Sequence, residues 1–334
     1  MRIDRPTNRP VCRIGFVGTG GVATRHAHVL SSFDDVALVA ATDVDPSRAA
    51  AFAAEFGMAT ADGVDGLLAH DLHAVYVCVP PFAHGPADSS AEARLAAAGL
   101  AVFVEKPLAV DLDTAQAVGA HLDRAGVLTR VGHHWRCAEP IARARELLAG
   151  RTPRLVSAAW WDKVPPVAWW ADRTLSGGPV VEQAIHVLDL LRVLVGEVEY
   201  VHARSAGPGP GGGDADAAVA ALLSFAGGAV GTLSTASVLG WKHRAGIEIV
   251  ADGLVVGVGE DWLEVHEGSG PPQRETFDRM TACTAADRAF VDALAGNAVD
   301  PDRSPPDHAE ALRTHRLATA VARSAASGAP EQVA

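Results

Sequence analysis

At 334 residues the chain is long for a single core, so two domains are expected. Hydrophobic residues make up 49% and charged residues 20%, a globular balance, while a net charge of -12 without basic runs argues against a nucleic-acid partner. Cysteines at 12, 78, 137 and 283 lack C-x-x-C spacing, residues 1–10 carry no apolar leader core, and no apolar stretch is membrane-length; the expectation is a soluble cytoplasmic protein with reduced thiols and a frayed N-terminus.

Arg13 to Val17 reads as a short apolar strand, followed at once by Gly18-Thr19-Gly20-Gly21-Val22-Ala23 and a helix to about Ser32. Glycines there let the backbone approach a pyrophosphate, whose charge rests on the amides of the helix N-terminus, so Gly18, Thr19, Gly20, Gly21 and Val22 are candidate cofactor contacts. A second strand, Ala37 to Asp43, ends on an acid where the dinucleotide fingerprint expects one. A carboxylate at Asp43 accepts hydrogen bonds from the adenosine ribose and repels a 2′-phosphate, favouring NAD over NADP, with Arg48 nearby as the opposing sign.

Asp45-Pro46 starts a helix that Gly57 ends, and Ala74 to Val79 is a third strand running into Pro80-Pro81-Phe82-Ala83-His84. An alanine-rich helix leads to Gly99. Ala101 to Val104 is a buried strand that Pro107 terminates, leaving Glu105 and Lys106 at its carboxyl edge, where ligands bind in open α/β sheets; a structural Glu-Lys ion pair is the alternative on this stretch alone. A helix from Asp111 to Ala125 stops at Gly126, and a last strand runs from Leu128 to His134. This alternation specifies a doubly wound parallel sheet with Pro80, Pro81, Glu105 and Lys106 on the same edge as the glycine turn. His84 is a candidate for the nicotinamide half of the cofactor, with helix capping or a surface position as its other readings. His26 and His28 are expected to be solvated. His133 and His134, adjacent on a strand, would point to opposite faces, and no metal is expected there or elsewhere.

After a helix from Ile141 to Leu148 and a strand from Leu155 to Trp160 comes an aromatic loop, and four of the seven tryptophans fall between 160 and 170. Trp161 and Trp169 are candidates for a platform under a sugar ring, against anchoring of an interdomain loop. Gly177-Gly178-Pro179 then opens a helix expected to run to Gly196, on which Glu182, His186 and Asp189 are spaced i, i+4, i+7. Two carboxylates and an imidazole along one stripe of an otherwise apolar helix point to a pocket. Beyond it the period shifts to two. Strands are expected over Val198–Ala206, Ala217–Phe225, Ala229–Ser237, Gly246–Ala251, Leu254–Val258 and Trp262–His266, with hairpin turns at Gly227-Gly228 and Asp252-Gly253. Gly207 to Gly213 reads as a flexible surface loop, and helices over Ala285–Ala295 and Pro306–Ser327 close the chain. The result is an α+β domain with a mostly antiparallel sheet, whose open face would be covered by a homodimer or homotetramer contact. The domains expected are 11–134 for the dinucleotide and 135–334 for substrate and assembly.

Together, the glycine turn, Glu105-Lys106-Pro107, and Gly177-Gly178 leading to His186 and Asp189-Leu-Leu-Arg192 resemble the glucose-fructose oxidoreductase / inositol dehydrogenase / MocA family, from about Val11 to Gly328. The resemblance implies an NAD-dependent oxidoreductase passing hydride between the nicotinamide and a carbinol carbon of a sugar, polyol or sugar derivative. Lys106 matches the family's E-K-P lysine and His186 its second-domain histidine; Glu182 stands where the family usually has aspartate. It implies His186 as base, Lys106 as alkoxide stabiliser and Glu182 as a positioning acid. All three would contact the substrate, and Lys106 the cofactor as well. Two other readings accompany it. An enzyme that retains its NAD and cleaves a glycosidic bond by transient oxidation would show no net cofactor turnover. A nucleotide-sensing regulator would bind NAD without hydride transfer.

Overall fold

The computed structural model describes residues 11–85, 87–209 and 212–333; the N-terminal ten residues expected to fray, and positions 210 and 211 of the Gly-Pro loop, lie outside the described residues. The first sheet is built from β1 (Cys12–Val17), β2 (Val36–Thr42), a two-residue β3 (Ala59–Thr60), β4 (Ala74–Val77), β5 (Ala101–Val104) and β6 (Thr129–Val131). All six run parallel in the order β3-β2-β1-β4-β5-β6. β4 and β5 are buried along their whole length, as continuous apolar runs under helices on both faces must be.

The helices between them are α1 (Gly21–Leu30), α2 (Pro46–Phe56), α3 (Gly63–Leu68), α4 (Ala91–Ala97) and α5 (Leu112–Ala125). Their ends follow local chemistry. Asp45 accepts from the Ser47 and Arg48 amides before α2, and Gly57 closes that helix in the left-handed conformation. Asp111 and Gly126 do the same for α5. β3 and α3 had no sequence signal strong enough to find them. The strand expected to reach His134 ends at Val131, because the chain turns at Gly132 and enters a 3₁₀ turn over His134–Cys137.

The second half contains α6 (Glu139–Leu148), β7 (Pro153–Lys163), α7 (Arg173–Ser176), α8 (Gly178–Glu182), α9 (Ile185–Leu194), β8 (Val198–Ser205), β9 (Ala218–Phe225), β10 (Val230–Leu239), β11 (Arg244–Ala251), β12 (Leu254–Val258), β13 (Trp262–Glu267), β14 (Gln273–Thr276), α10 (Met280–Leu294), α11 (His308–Ser327) and β15 (Glu331–Gln332). The strands form one nine-stranded sheet in the order β14-β13-β12-β11-β7-β10-β9-β8-β15, antiparallel except where β7 meets β10. In β9 every second residue is buried, so one face of the sheet rests on α9 and α11 and the other is open.

The single helix expected from Gly177 to Gly196 is two helices. Gln183 and Ala184 break it, with the Gln183 side chain accepting a hydrogen bond from Ser237 on β10. The break interrupts the expected polar stripe. Asp189 faces away into a buried network: Arg136 grips it with two hydrogen bonds of 2.6 Å and Thr314 donates at 2.8 Å.

α10 returns to the first sheet, packing Phe290 and Val291 into its core beside α1. There His26, expected to be solvated, is 1% exposed and lies between two carboxylates: Asp287 at 2.7 Å from Nδ1 and Glu105 at 2.9 Å from Nε2. Burial alone would lower the pKa of His26, but Asp287, Cys283 and Glu105 raise it well above 6.5, so the ring is a cation. No helix among the described residues is long and apolar enough to cross a membrane.

Because the folded His26 holds its proton above the ordinary histidine range, its stabilisation is complete below about pH 6.5 and is lost as pH rises through the raised folded value. His26→Gln is therefore expected to cost about 3 kcal/mol near neutrality, since it leaves two buried carboxylates without their cation, and to flatten this alkaline decline. Urea unfolding of both proteins across pH 6–9 checks it.

Candidate active site

β5 delivers Glu105 and Lys106 to the carboxyl edge of the first sheet, and the Lys106–Pro107 peptide is cis. Glu105 is fixed by His26 on one oxygen and by the Lys106 amide, 3.2 Å away, on the other; a side chain at Gly132 would collide with it. Burial would raise the Glu105 pKa, but the hydrogen bond and charge of His26, with His134 and Lys106, hold it below the usual range. From this anchored backbone the Lys106 ammonium reaches across to α8. It donates to the Glu182 carbonyl at 2.9 Å and lies 3.4 Å from the Glu182 carboxylate Oε1. The other carboxylate oxygen, Oε2, accepts from the indole N–H of Trp170 at 3.0 Å. Lys106 and Glu182 thus come together as the sequence implies, with Trp170 an unanticipated third member.

His186, at the start of α9, is 6% exposed. Its ring stacks on Trp135 at 5.3 Å and on Trp160 at 6.0 Å, while His134 meets it edge-on at 5.1 Å and His133 at 6.1 Å. Burial, then the charges of Lys106, His134, His133 and Lys242, push its pKa well below 6.5, leaving a neutral imidazole. Its Nδ1 is buried without a partner among the described residues. The expectation that His133 and His134 face opposite ways fails because the strand has already ended, and both rings border His186. Burial pushes the His133 pKa down to about 4 despite the Asp189 carboxylate 3.9 Å away.

On the cofactor side, Gly18 has φ +84° and backs onto the Cys78 carbonyl, so only glycine fits. Gly20 caps α1 with no side-chain hydrogen bond, the first turn carries no acid, and among the described residues no other element comes within 4 Å of where a Cβ on Gly20 or Gly21 would stand. Open space in front of uncapped helix amides, with Thr19 and Val22 flanking it, fits a dinucleotide pyrophosphate. Asp43 lies beside this turn. Its Oδ2 accepts from the Thr19 amide and hydroxyl at 2.8 and 2.9 Å, and its Oδ1 from the Asp45 amide and Arg48, each at 2.9 Å. Burial opposes ionisation, but these donors keep the Asp43 pKa below the usual range. Pro80 and Pro81 open a 3₁₀ turn at the end of β4.

His84 takes neither of its two structural alternatives. It is buried, Nδ1 bonds to Glu92 within α4, and the cap of α4 is Ser90. It ties the Pro80-Pro81 turn to the helix behind it, a supporting position for a residue expected at the nicotinamide.

The tryptophans divide by strand alternation. Trp161 donates to Ser234 at 3.0 Å and stacks on His243, on the face of β7 opposite Trp160. Trp160, not Trp161, shares the His186 side, which corrects the expected substrate contact. Trp169 meets Phe82 of the first-sheet turn at 6.2 Å, bridging the two halves above the cleft. Lys242, on the connection from β10 to β11, sits over the Trp160 ring at 4.8 Å and the Trp135 ring at 5.5 Å. A cavity of about 540 Å³ opens beyond it on the other face of the sheet, the Trp161 side, lined by His243, Arg244, Glu248, Trp262 and Arg274 as well as Lys242. Among these missed residues only Trp160 and Trp170 carried a signal, as members of the tryptophan cluster.

Two family models match the chain: an oxidoreductase family with an NAD-binding Rossmann fold over residues 12–133, and a GFO/IDH/MocA C-terminal domain over residues 141–253. A myo-inositol dehydrogenase of Streptomyces leeuwenhoekii is 33% identical over 329 residues, covering 94% of this chain and 98% of that one. A 1-carboxy-3-chloro-3,4-dihydroxycyclohexa-1,5-diene dehydrogenase of Comamonas testosteroni is 32% identical over 253 residues, 70% of this chain and 62% of its own length. Levoglucosan dehydrogenase in complex with NADH and L-sorbose has the same fold, with a TM-score of 0.85 at 20% identity and coverage of 97% and 99%. An oxidoreductase domain protein from Kribbella flavida likewise gives 0.84 at 24%, covering 97% and 100%.

The glycine turn separates folding from cofactor binding. Gly18→Ala is expected to destabilise the first sheet, whereas Gly21→Ala meets open space, keeps the melting temperature and weakens NAD binding by roughly tenfold or more by filling the pyrophosphate cradle. Calorimetric melting alongside NADH fluorescence titration distinguishes the two effects.

Proposed function

The chain belongs to the glucose-fructose oxidoreductase, inositol dehydrogenase and MocA family, and we propose that it passes a hydride between NAD and a carbinol carbon of a sugar, polyol or related cyclic alcohol. The observation that carries this reading is the contact between Lys106 and Glu182, which brings the carboxyl edge of the NAD-binding sheet against the helix leading to His186. When bound, the nicotinamide would supply the hydride acceptor.

A carbinol gives up hydride only as its hydroxyl proton leaves. His186, neutral among nearby cations, takes that proton; with Nδ1 buried on the protein side, Nε2 is the nitrogen assigned to it. The Lys106 ammonium faces the oxygen as negative charge develops and stabilises the alkoxide. Glu182 holds Lys106 in place and offers its carboxylate to a neighbouring substrate hydroxyl, while Trp170 fixes the carboxylate's rotation. Trp160 supplies an apolar wall next to the base, and Trp169 with Phe82 roofs the cleft. Asp43 favours NAD over NADP: its ionised carboxylate lies beside the glycine turn, where it would meet the adenosine ribose, and Arg48, which a 2′-phosphate would need, is engaged with Asp43 at 2.9 Å.

A second copy of the chain accounts for the open face of the nine-stranded sheet. Leu155, Val230 and Leu222 are 50%, 54% and 62% exposed on the adjoining strands β7, β10 and β9, with Leu155 and Val230 in direct register. Leu222→Arg is expected to convert the assembly to monomers in sedimentation velocity; a wild-type monomer would refute this arrangement.

Lys106→Ala and His186→Ala are each expected to lower kcat at least 10²-fold while NAD affinity changes only a few-fold. Because His186 works as the neutral base and its pKa is depressed, kcat/KM for alcohol oxidation should stay level from pH 8 down through 6.5 and fall only at lower pH. Near-normal turnover in both variants on a polyol and sugar panel would contradict the mechanism.

A further inference from the structure

We propose that Asp162 binds the substrate, its Oδ2 accepting hydroxyl hydrogen bonds from a neutral polyol or sugar whose carbinol reacts at Lys106 and His186; this rests on the hydride-transfer reading above. Asp162 lies two residues beyond Trp160 on β7, so strand alternation turns it to the face that carries Trp160 and, stacked on that ring, His186. Burial follows the same alternation, with Trp160 and Asp162 buried and Lys163 exposed. Across the sheet Asp162 stands in register with Ser237 of β10, and Ser237 donates to the Gln183 side chain at 3.0 Å. Gln183 directly follows Glu182 and precedes His186 by three residues, so Asp162 is one strand away from the joint that carries both.

A single donor reaches this carboxylate. Oδ1 accepts from the Lys163 amide at 2.7 Å, and Oδ2 has no partner among the described residues. The residue is only 9% exposed, yet Oδ2 is not sealed in the interior. It keeps accessible surface, unlike the Trp160 indole N–H and the Thr235 hydroxyl one layer deeper on the same face. A carboxylate offers about four lone-pair positions, and leaving most of them unmet at this depth is costly.

The charged groups around it are matched to other partners. Lys106 faces the Glu182 carboxylate at 3.4 Å. The cations within electrostatic range of Asp162 are Lys242 and Arg279. Lys242 lies 3.7 Å from Glu260, and Arg279 pairs with Glu260 at 2.9 Å and with Asp261 at 3.6 Å. Asp162 itself forms no ion pair among the described residues, so the group that completes its shell has to donate. Hydroxyls of a polyol donate without adding charge, whereas a substrate carboxylate only accepts and would meet repulsion. Glu182 and Asp162 together therefore suit a substrate with several hydroxyls and no acid.

The test measures initial rates of NADH formation with myo-inositol, D-glucose, D-galactose and D-xylose, and with D-glucuronate, D-galacturonate and D-glucosamine. Wild-type enzyme is expected to favour D-glucose and D-galactose over their uronates in kcat/KM by about tenfold or more. Asp162→Asn retains an acceptor for the Lys163 amide and turns the open oxygen into an amide. On the best neutral substrate it is expected to raise KM at least about tenfold with kcat within about threefold, while NADH affinity and the melting temperature hold. An unchanged KM, or a loss confined to kcat and melting temperature, marks an aspartate that only shapes β7 and overturns the proposal. A wild-type preference for the uronates overturns it without any variant, with hydride transfer left standing. A tenfold preference for D-glucosamine over D-glucose assigns the carboxylate to an ammonium and overturns it likewise. Absence of NADH formation across the whole panel refutes the hydride-transfer reading and this inference with it.

Discussion

One ammonium joins the two halves of this protein where chemistry is needed. Lys106 sits at the end of a fully buried strand, and its charge is met by Glu182 at the end of a short helix belonging to the other sheet. Neither partner is free to wander. The backbone of Lys106 is held by Glu105, which is held by His26, which is held by Asp287; the carboxylate of Glu182 is held by Trp170. The extra methylene of Glu182 over the aspartate that the resemblance leads one to expect has a physical consequence. The longer side chain lets one oxygen face Lys106 while the other reaches the Trp170 indole, so an acid that could have adopted many rotamers is pinned at both oxygens.

The same low-dielectric interior treats two histidines in opposite ways. His26 is surrounded by carboxylates and stays protonated, which makes it a structural cation. His186 is surrounded by aromatic rings and basic groups and stays neutral, which makes it a proton acceptor. Burial opposes the charged form in both cases, and the sign of the neighbours decides the outcome. A chain with 14 histidines therefore commits these two to distinct work through packing rather than through sequence position.

Local signals were legible in the sequence, and long-range partnerships were not. Strands β1, β4 and β5 followed from apolar runs, the ends of α2 and α5 from Asp and Gly caps, and the glycine turn and Lys106 from their place on one sheet edge. His26 escaped because its partner Asp287 is 261 residues away, and no periodicity in α1 announces a buried cation. The helix break at Gln183 escaped because Glu182 and Ala184 on either side are good helix formers and the partner of the Gln183 side chain, Ser237, lies on a distant strand. Trp161 and Trp160 are adjacent, so choosing between them required knowing which face of β7 is covered. β14 and β15 are short, mostly exposed edge strands with no alternating apolar pattern to read.

If Lys106, Glu182 and His186 surround the reacting carbon, a crystal structure of the protein with NADH bound will show it. The nicotinamide ring is then expected to face the space between Lys106 and the His186 ring, at a near-attack separation for hydride transfer. A nicotinamide turned away from Lys106, with His186 sealed from it by protein, would rule this arrangement out.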